Sequence, residues 1–202
     1  MNNEVISLRC ENPSHRLILL HGWGADADDL IPFGQTIVKS LDKEVELISL
    51  RAPNPHPQSG GRQWYSLYPP NWIEVPVAVE NLKMRIEELS SPSVPLSKTA
   101  IFGFSQGGAM AISSGCSLPL AGVIACSSYP HPNWKPPEKR PPIFLAHGQY
   151  DDVVPHSASE ETVKLLIARS NIEVELESFN GGHEIPSQLF SKFIRVIKYW
   201  FN

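Results

Sequence analysis

Thr99-Ala100-Ile101-Phe102-Gly103-Phe104-Ser105-Gln106-Gly107-Gly108-Ala109-Met110-Ala111 runs from an apolar strand-like stretch through a Gly-x-Ser-x-Gly turn into a segment of small residues. A serine on a sharp strand-to-helix turn takes strained backbone angles, and glycines two residues to either side let the neighbouring chain pack close. The context is that of a nucleophile elbow, so Ser105 is the candidate nucleophile.

Working outward, apolar runs rich in β-branched or large residues recur at Arg16–Leu20, Val45–Leu50, Ala121–Cys126, Ile143–His147 and Val174–Phe179, with Val5–Leu8 as an edge candidate. Most are continuous rather than alternating, as strands covered on both faces are. Helical stripes separate them: Leu30, Phe33, Ile37 and Leu41 behind the candidate caps Asp28 and Asp29; Val79, Leu82, Ile86 and Leu89; Val163, Leu166 and Ile167; and Phe190, Phe193, Ile194, Ile197 and Trp200 behind Ser187. Strands alternating with helices predict an α/β fold, a mostly parallel central sheet flanked by helices. At 202 residues one domain, 1–202, is expected.

Two stretches follow neither period. Arg51–Trp72 holds five prolines and two glycines, and Ser127–Pro142 holds six prolines. Both read as loops, and the first carries Trp64, Tyr65, Tyr68 and Trp72, a composition that favours an ordered, site-forming loop.

Composition excludes several functions. With 17 Lys and Arg against 21 Asp and Glu, the net charge is −4, and the longest basic run is Lys139-Arg140. Neither nucleic acid nor anionic lipid is an expected partner. No apolar stretch reaches the roughly 18 residues of a membrane span, and Met1-Asn2-Asn3-Glu4 lacks a signal layout, so a cytoplasmic protein without integral membrane insertion is expected. Cys10, Cys116 and Cys126 have no metal-ligand spacing, and neither metal nor cofactor is expected.

A serine hydroxyl needs a histidine to take its proton and a carboxylate to fix that histidine's tautomer. In elbow sites the chain order is serine, acid, histidine. Of seven histidines only His156 and His183 follow both serine and acid candidates. His156 stands beside the acid loop and reads as a helix-start residue, which leaves His183 in Gly181-Gly182-His183-Glu184. His147 reads as a partner of the loop backbone. The acid lies in His147-Gly148-Gln149-Tyr150-Asp151-Asp152, and local sequence alone does not separate Asp151 from Asp152. For an oxyanion, Gln106 would give one main-chain N–H and the glycine-flanked Trp23 of His21-Gly22-Trp23-Gly24 the other.

Together, Gly103-Phe104-Ser105-Gln106-Gly107-Gly108, His21-Gly22-Trp23-Gly24, His147-Gly148 with Asp151 and Val154-Pro155, and Gly182-His183-Glu184 resemble the phospholipase/carboxylesterase family, from about Arg16 to Trp200. The resemblance implies the α/β-hydrolase fold, Asp151 as the acid, and Trp23 as second oxyanion donor. Arg62-Gln63-Trp64-Tyr65 is similar to the family's Trp-aromatic pair near the substrate channel. Trp23 departs from the family's usual aliphatic residue, and His-Gly-Trp-Gly is similar instead to pimeloyl methyl ester esterases. Those carry a helical cap for which Ser127–Pro142 is too short, so no sizeable cap is expected.

The resulting expectation is a serine hydrolase of carboxylic esters or acyl thioesters with short-to-medium neutral acyl chains, acting through an acyl-enzyme. Trp23, Trp64, Tyr65, Tyr68 and Trp72 would line an apolar groove for a small-molecule or lipid-like substrate. An acyltransferase or peptidase on the same residues, and an inactive binding module, remain as alternatives. A homodimer is compatible with all of them.

Overall fold

The computed structural model describes residues 5–8, 10–170 and 172–202, and of Val5 and Ile6 only the main chain. In chain order the strands are β1 (Val5–Leu8), β2 (His15–Leu20), β3 (Val45–Leu50), β4 (Asn54–Pro55), β5 (Arg62–Gln63), β6 (Thr99–Phe104), β7 (Gly122–Cys126), β8 (Ile143–Gly148) and β9 (Val174–Phe179). The helices are α1 (Ile31–Lys39), α2 (Val75–Glu88), α3 (Gln106–Gly115), α4 (Ser157–Ile167) and α5 (Phe190–Trp200).

Seven strands form one sheet in the order β1-β3-β2-β6-β7-β8-β9. Every pairing is parallel except β1 with β3, which is antiparallel. This is the mostly parallel, helix-flanked sheet that the alternating sequence pattern implies. The continuous apolar runs are explained by cover on both faces. Leu17, Leu19 and Phe102 pack with Phe33 and Ile37 of α1 and Phe193 and Ile197 of α5. On the other face, Ile18, Leu20 and Ile101 pack with Leu82 and Ile86 of α2, Met110 of α3 and Leu166 of α4.

β2 and β6 are neighbours, yet the chain leaves β2 toward β3 on one side, while β6 leads to β7 on the other. The carboxyl ends of two strands diverging in this way leave a crevice between their loops. The loop after β2 and the turn after β6 both open there, and the loops after β8 and β9 follow along the same sheet edge.

Details differ from the sequence reading. Asp28 and Asp29 do not cap α1: Leu30 is its N-cap, Pro32 sits in its first turn, and the Asp29 carboxylate accepts the Asp26 N–H at 2.7 Å. Ser187 opens a 3-10 turn that precedes α5. Ile167 is exposed, because Val163 and Leu166 already fill the face of α4 toward the sheet. Arg51–Trp72 is not wholly irregular, since β4 and β5 pair as a short antiparallel ribbon. Ser127–Pro142 contains no helix.

Candidate active site

Ser105 stands at the N-terminus of α3 with φ 53° and ψ −120°, outside the regions open to an ordinary side chain. Its neighbours hold it there. A Cβ at Gly103 would collide with the Gly107 carbonyl, and one at Gly107 with the carbonyls of Leu20 and His21. The Ser105 N–H donates to the Cys126 carbonyl at 2.9 Å, tying the turn to the end of β7. Strain of this kind costs on the order of 1–3 kcal/mol and persists only where surrounding contacts over-determine it.

Ser105 Oγ lies 2.9 Å from His183 Nε2, and His183 Nδ1 lies 2.8 Å from Asp151 Oδ2. A carboxylate can only accept, so Nδ1 carries the proton and Nε2 is left to accept from the serine hydroxyl. Asp151 is held from its other oxygen: Oδ1 accepts the Val153 and Val154 N–H groups at 3.0 and 2.8 Å. Burial would raise the pKa of this carboxyl, but the Val154 N–H and His183 outweigh it, and the net shift is downward. Asp152 is exposed, its neighbour's carboxylate having taken the inward position.

A second histidine supports the acid. His147 is fully buried; its Nε2 donates to the Val154 carbonyl at 2.9 Å and lies 3.3 Å from Asp151 Oδ2, while its Nδ1 accepts from the Ser159 hydroxyl at 2.6 Å. Burial holds its pKa down, which keeps it a neutral donor. His156 sits at the N-cap of α4, its Nε2 2.7 Å from Ser178 Oγ and away from the serine.

The loop after β2 is fixed by His21, also fully buried. Its Nδ1 donates to the Gly22 carbonyl at 2.8 Å, and its Nε2 accepts the Ala52 N–H at 3.1 Å. In a trans peptide the N–H points opposite the C=O, so a Gly22 carbonyl turned toward His21 turns the Trp23 N–H away from it. Gly22 itself packs against Ser105, since a Cβ there would sit 3.4 Å from Ser105 Cβ. Among the described residues neither the Trp23 nor the Gln106 main-chain N–H has an intramolecular acceptor. Two unpaired donors flanking a nucleophile, one at the positive end of a helix, suit a developing oxyanion.

Gln106 also works through its side chain. Fully buried, its Oε1 accepts the Trp64 N–H at 3.0 Å and its Nε2 donates to the Tyr65 carbonyl at 2.9 Å. This pair staples the long loop to the start of α3. It also corrects the sequence reading of Trp64 and Tyr65. At 2% and 0% exposure they lie in the core rather than on the groove: the Trp64 indole N–H donates to the His21 carbonyl at 2.9 Å, and the Tyr65 hydroxyl lies 2.7 Å from that of Tyr129 and 3.0 Å from His131 Nε2.

Trp23, Tyr68 and Trp72 do reach the surface. Tyr68 is 66% exposed and Trp72 39%, and the Tyr68 ring centroid is 5.1 Å from that of Trp23. The Trp23 ring is held on the other side by His56 at 4.0 Å, and its indole N–H donates to Gln63 Oε1 at 2.9 Å. An open cleft of about 320 Å³ runs along His183 between the loops after β2 and β9. Two further clefts of about 300 Å³, one between β8 and α5 and one between α2 and the Trp64 loop, are lined by none of the candidate catalytic residues. Among the described residues, no group of three or more His, Cys, Asp or Glu side chains is disposed to hold a metal ion.

The sequence reading brings together Ser105, Asp151, His183, Trp23 and the Gln106 N–H. It misses the side-chain role of Gln106, the clamp of His21, the link of His147 to Asp151, and Tyr129. A histidine directly before each Gly of His21-Gly22 and His147-Gly148 was the available signal for two of these. Tyr129 carried none.

The family model described as phospholipase/carboxylesterase matches residues 1–201. Acyl-protein thioesterase 1 of Neurospora crassa is 38% identical over 112 residues, 48% of this chain and 44% of that one. The protein of the same name from Eremothecium gossypii is 30% identical over 122 residues, 56% of this chain and 52% of its own length. The chain thus matches about half the length of these relatives. Among solved structures, esterase PE8 is 27% identical, with TM-score 0.85 over 97% of this chain and 98% of its own. The Bacillus cereus carboxylesterase, 20% identical, shares the fold at TM-score 0.83 over 98% and 94% of the two chains.

Proposed function

The chain belongs to the phospholipase/carboxylesterase family, and on that premise we propose that it is a serine hydrolase of carboxylic esters or acyl thioesters. The observation that carries the reading is the unbroken line Ser105 Oγ, His183 Nε2, His183 Nδ1, Asp151 Oδ2, at 2.9 and 2.8 Å, with the serine on a strained turn.

Ser105 Oγ attacks the acyl carbonyl carbon as His183 Nε2 takes its proton, and the carbonyl electrons move onto an oxygen held by the Trp23 and Gln106 N–H groups. Asp151 stabilises the imidazolium and keeps Nδ1 protonated. When the tetrahedral intermediate collapses, the bond to the alcohol or thiol breaks and the leaving group takes the proton from Nε2. Water, deprotonated by the same nitrogen, then attacks the acyl-serine, releasing the acid and restoring the Ser105 hydroxyl. The complete triad favours a working enzyme over an inactive binding module.

Substrate preference follows from the groove walls. Trp23, Tyr68 and Trp72 offer apolar surface without a cap to limit entry, which favours neutral acyl chains of short-to-medium length. Steady-state hydrolysis of p-nitrophenyl butyrate by wild type and Ser105→Ala is the test. The variant is expected to lose roughly ten-thousand-fold or more in kcat with the fold retained. Turnover near wild type in Ser105→Ala would end the proposal.

A further inference from the structure

We infer that the cleft along His183 receives the leaving group, and that it selects a cationic alcohol or thiol over a neutral or anionic one. The inference rests on the hydrolase reading and assigns a substrate class to the same site. Its first step is stereochemical. Around the attacked carbon, the oxygen turns toward the Trp23 and Gln106 N–H groups, and Ser105 Oγ occupies a second direction. The leaving atom must lie within hydrogen-bond reach of His183 Nε2, which delivers its proton. The leaving group therefore extends along His183. That side holds the cleft of about 320 Å³, whereas Tyr68 and Trp72 stand on the long loop that Gln106 anchors from the side of α3.

The second step is the chemistry of the walls. The floor is apolar, from Gly22, Leu30, Phe104 and Ile185, with the Phe104 ring 5.0 Å from that of His183. Among the described residues, the charged ones lining it are Asp29 and Glu184, both exposed carboxylates, and neither a lysine nor an arginine lines it. Asp29 is held in place by the Asp26 N–H at 2.7 Å, and Arg51, whose guanidinium reaches this loop from the end of β3, is taken by Asp26 at 2.7 Å. His21, also in the lining, is buried with its pKa held down by that burial, so it brings no positive charge. An apolar floor under a negative rim fits an alkyl-bearing cation such as a quaternary ammonium alcohol or a thiol carried on a basic peptide. It disfavours phosphate-bearing carriers.

A matched pair isolates the effect: choline butyrate and 3,3-dimethylbutyl butyrate share acyl group, shape and alcohol size, and differ by one charge. The readout is the ratio of their kcat/KM values divided by the ratio of their hydroxide-catalysed hydrolysis rates, which removes acyl binding and the greater intrinsic reactivity that the β-ammonium group gives the choline ester. In wild type at low ionic strength the choline ester is expected to lead by about fivefold, the scale for two exposed carboxylates several ångströms away. The ratio should fall toward one at about 0.5 M salt and in Asp29→Asn/Glu184→Gln. A wild-type ratio of one or below, or a ratio unchanged by both salt and the double variant, would overturn the inference. Turnover of p-nitrophenyl butyrate serves as the control for the underlying reading: with it present, the ratio alone decides; without it, the hydrolase reading and this inference fall together.

Discussion

Replacing Gln106 by alanine removes the amide that staples the Trp64–Tyr65 segment to α3 while leaving the main-chain N–H beside Ser105 in place. The truncation strands two groups, the Trp64 N–H and the Tyr65 carbonyl, at residues 2% and 0% exposed. Each unsatisfied buried group costs about 1–3 kcal/mol, and the space left by the lost amide adds to it, so a total near 4 kcal/mol is expected. For a domain of this size each kcal/mol lowers Tm by roughly 2–4 °C, which puts the loss on the order of 10 °C. Thermal unfolding followed by circular dichroism measures it directly. The kinetic signature should be selective: Tyr68 and Trp72 lie on the freed loop, so KM for p-nitrophenyl butyrate should rise by a larger factor than kcat falls. A Tm within 2 °C of wild type, or an unchanged KM, would refute the staple.

Other consequences are equally open to measurement. Asp151→Asn should cost at least a hundredfold more in kcat than Asp152→Asn, since the first leaves His183 Nδ1 without its carboxylate while the second changes an exposed side chain; the opposite ranking would move the acid by one residue. His131, buried between Ser113 and Tyr65, has its pKa lowered by burial to about 4, whereas in the unfolded chain it titrates near 6.5. Between these values the unfolded state binds the extra proton, so stability present above pH 6.5 should fall by up to 1.4 kcal/mol per pH unit, roughly 3 kcal/mol in all, as pH drops toward 4. The urea midpoint should track this loss, with a shallower slope in His131→Asn; a flat midpoint from pH 7 to 4.5 would contradict it. For the acyl groove, two added methylenes are worth about 1.6 kcal/mol, so kcat/KM should rise about tenfold from p-nitrophenyl acetate to butyrate, and less steeply in Trp72→Ala. Equal slopes in the two proteins would remove Trp72 from the groove.

The fold was readable because its strands are covered on both faces. Leu17–Leu20 and Ala100–Phe102 are apolar without interruption, a pattern local enough to survive in sequence. The elbow was readable for the same reason, since its steric demands fall within five consecutive residues. Caps were read less well. Asp28 and Asp29 carry the side chains of good caps, but both lie within the overlapping tight turns Asp26–Asp29 and Asp28–Ile31, and α1 begins behind a Leu30 that caps nothing through its side chain.

In the candidate site, residues marked by their local context, Ser105, His183 and Trp23, were picked out from sequence. Those whose function depends on a distant partner were not. Gln106 reaches 42 residues along the chain to Trp64, and Tyr65 reaches 64 to Tyr129. An aromatic on a proline-rich loop reads alike whether it faces solvent or core. Only packing separates Trp72, on the surface, from Trp64, beneath it.

The central claim is that Ser105 is the nucleophile, activated by His183 and Asp151, and covalent labelling tests it most directly. After incubation with a fluorophosphonate, intact-protein mass spectrometry should show a single adduct, and peptide mapping should place it on Ser105 of Gly103-Phe104-Ser105-Gln106-Gly107. Ser105→Ala should take up no label, and His183→Ala should take it up far more slowly. A wild-type protein that stays unlabelled, or an adduct on another serine that persists in Ser105→Ala, would contradict the account.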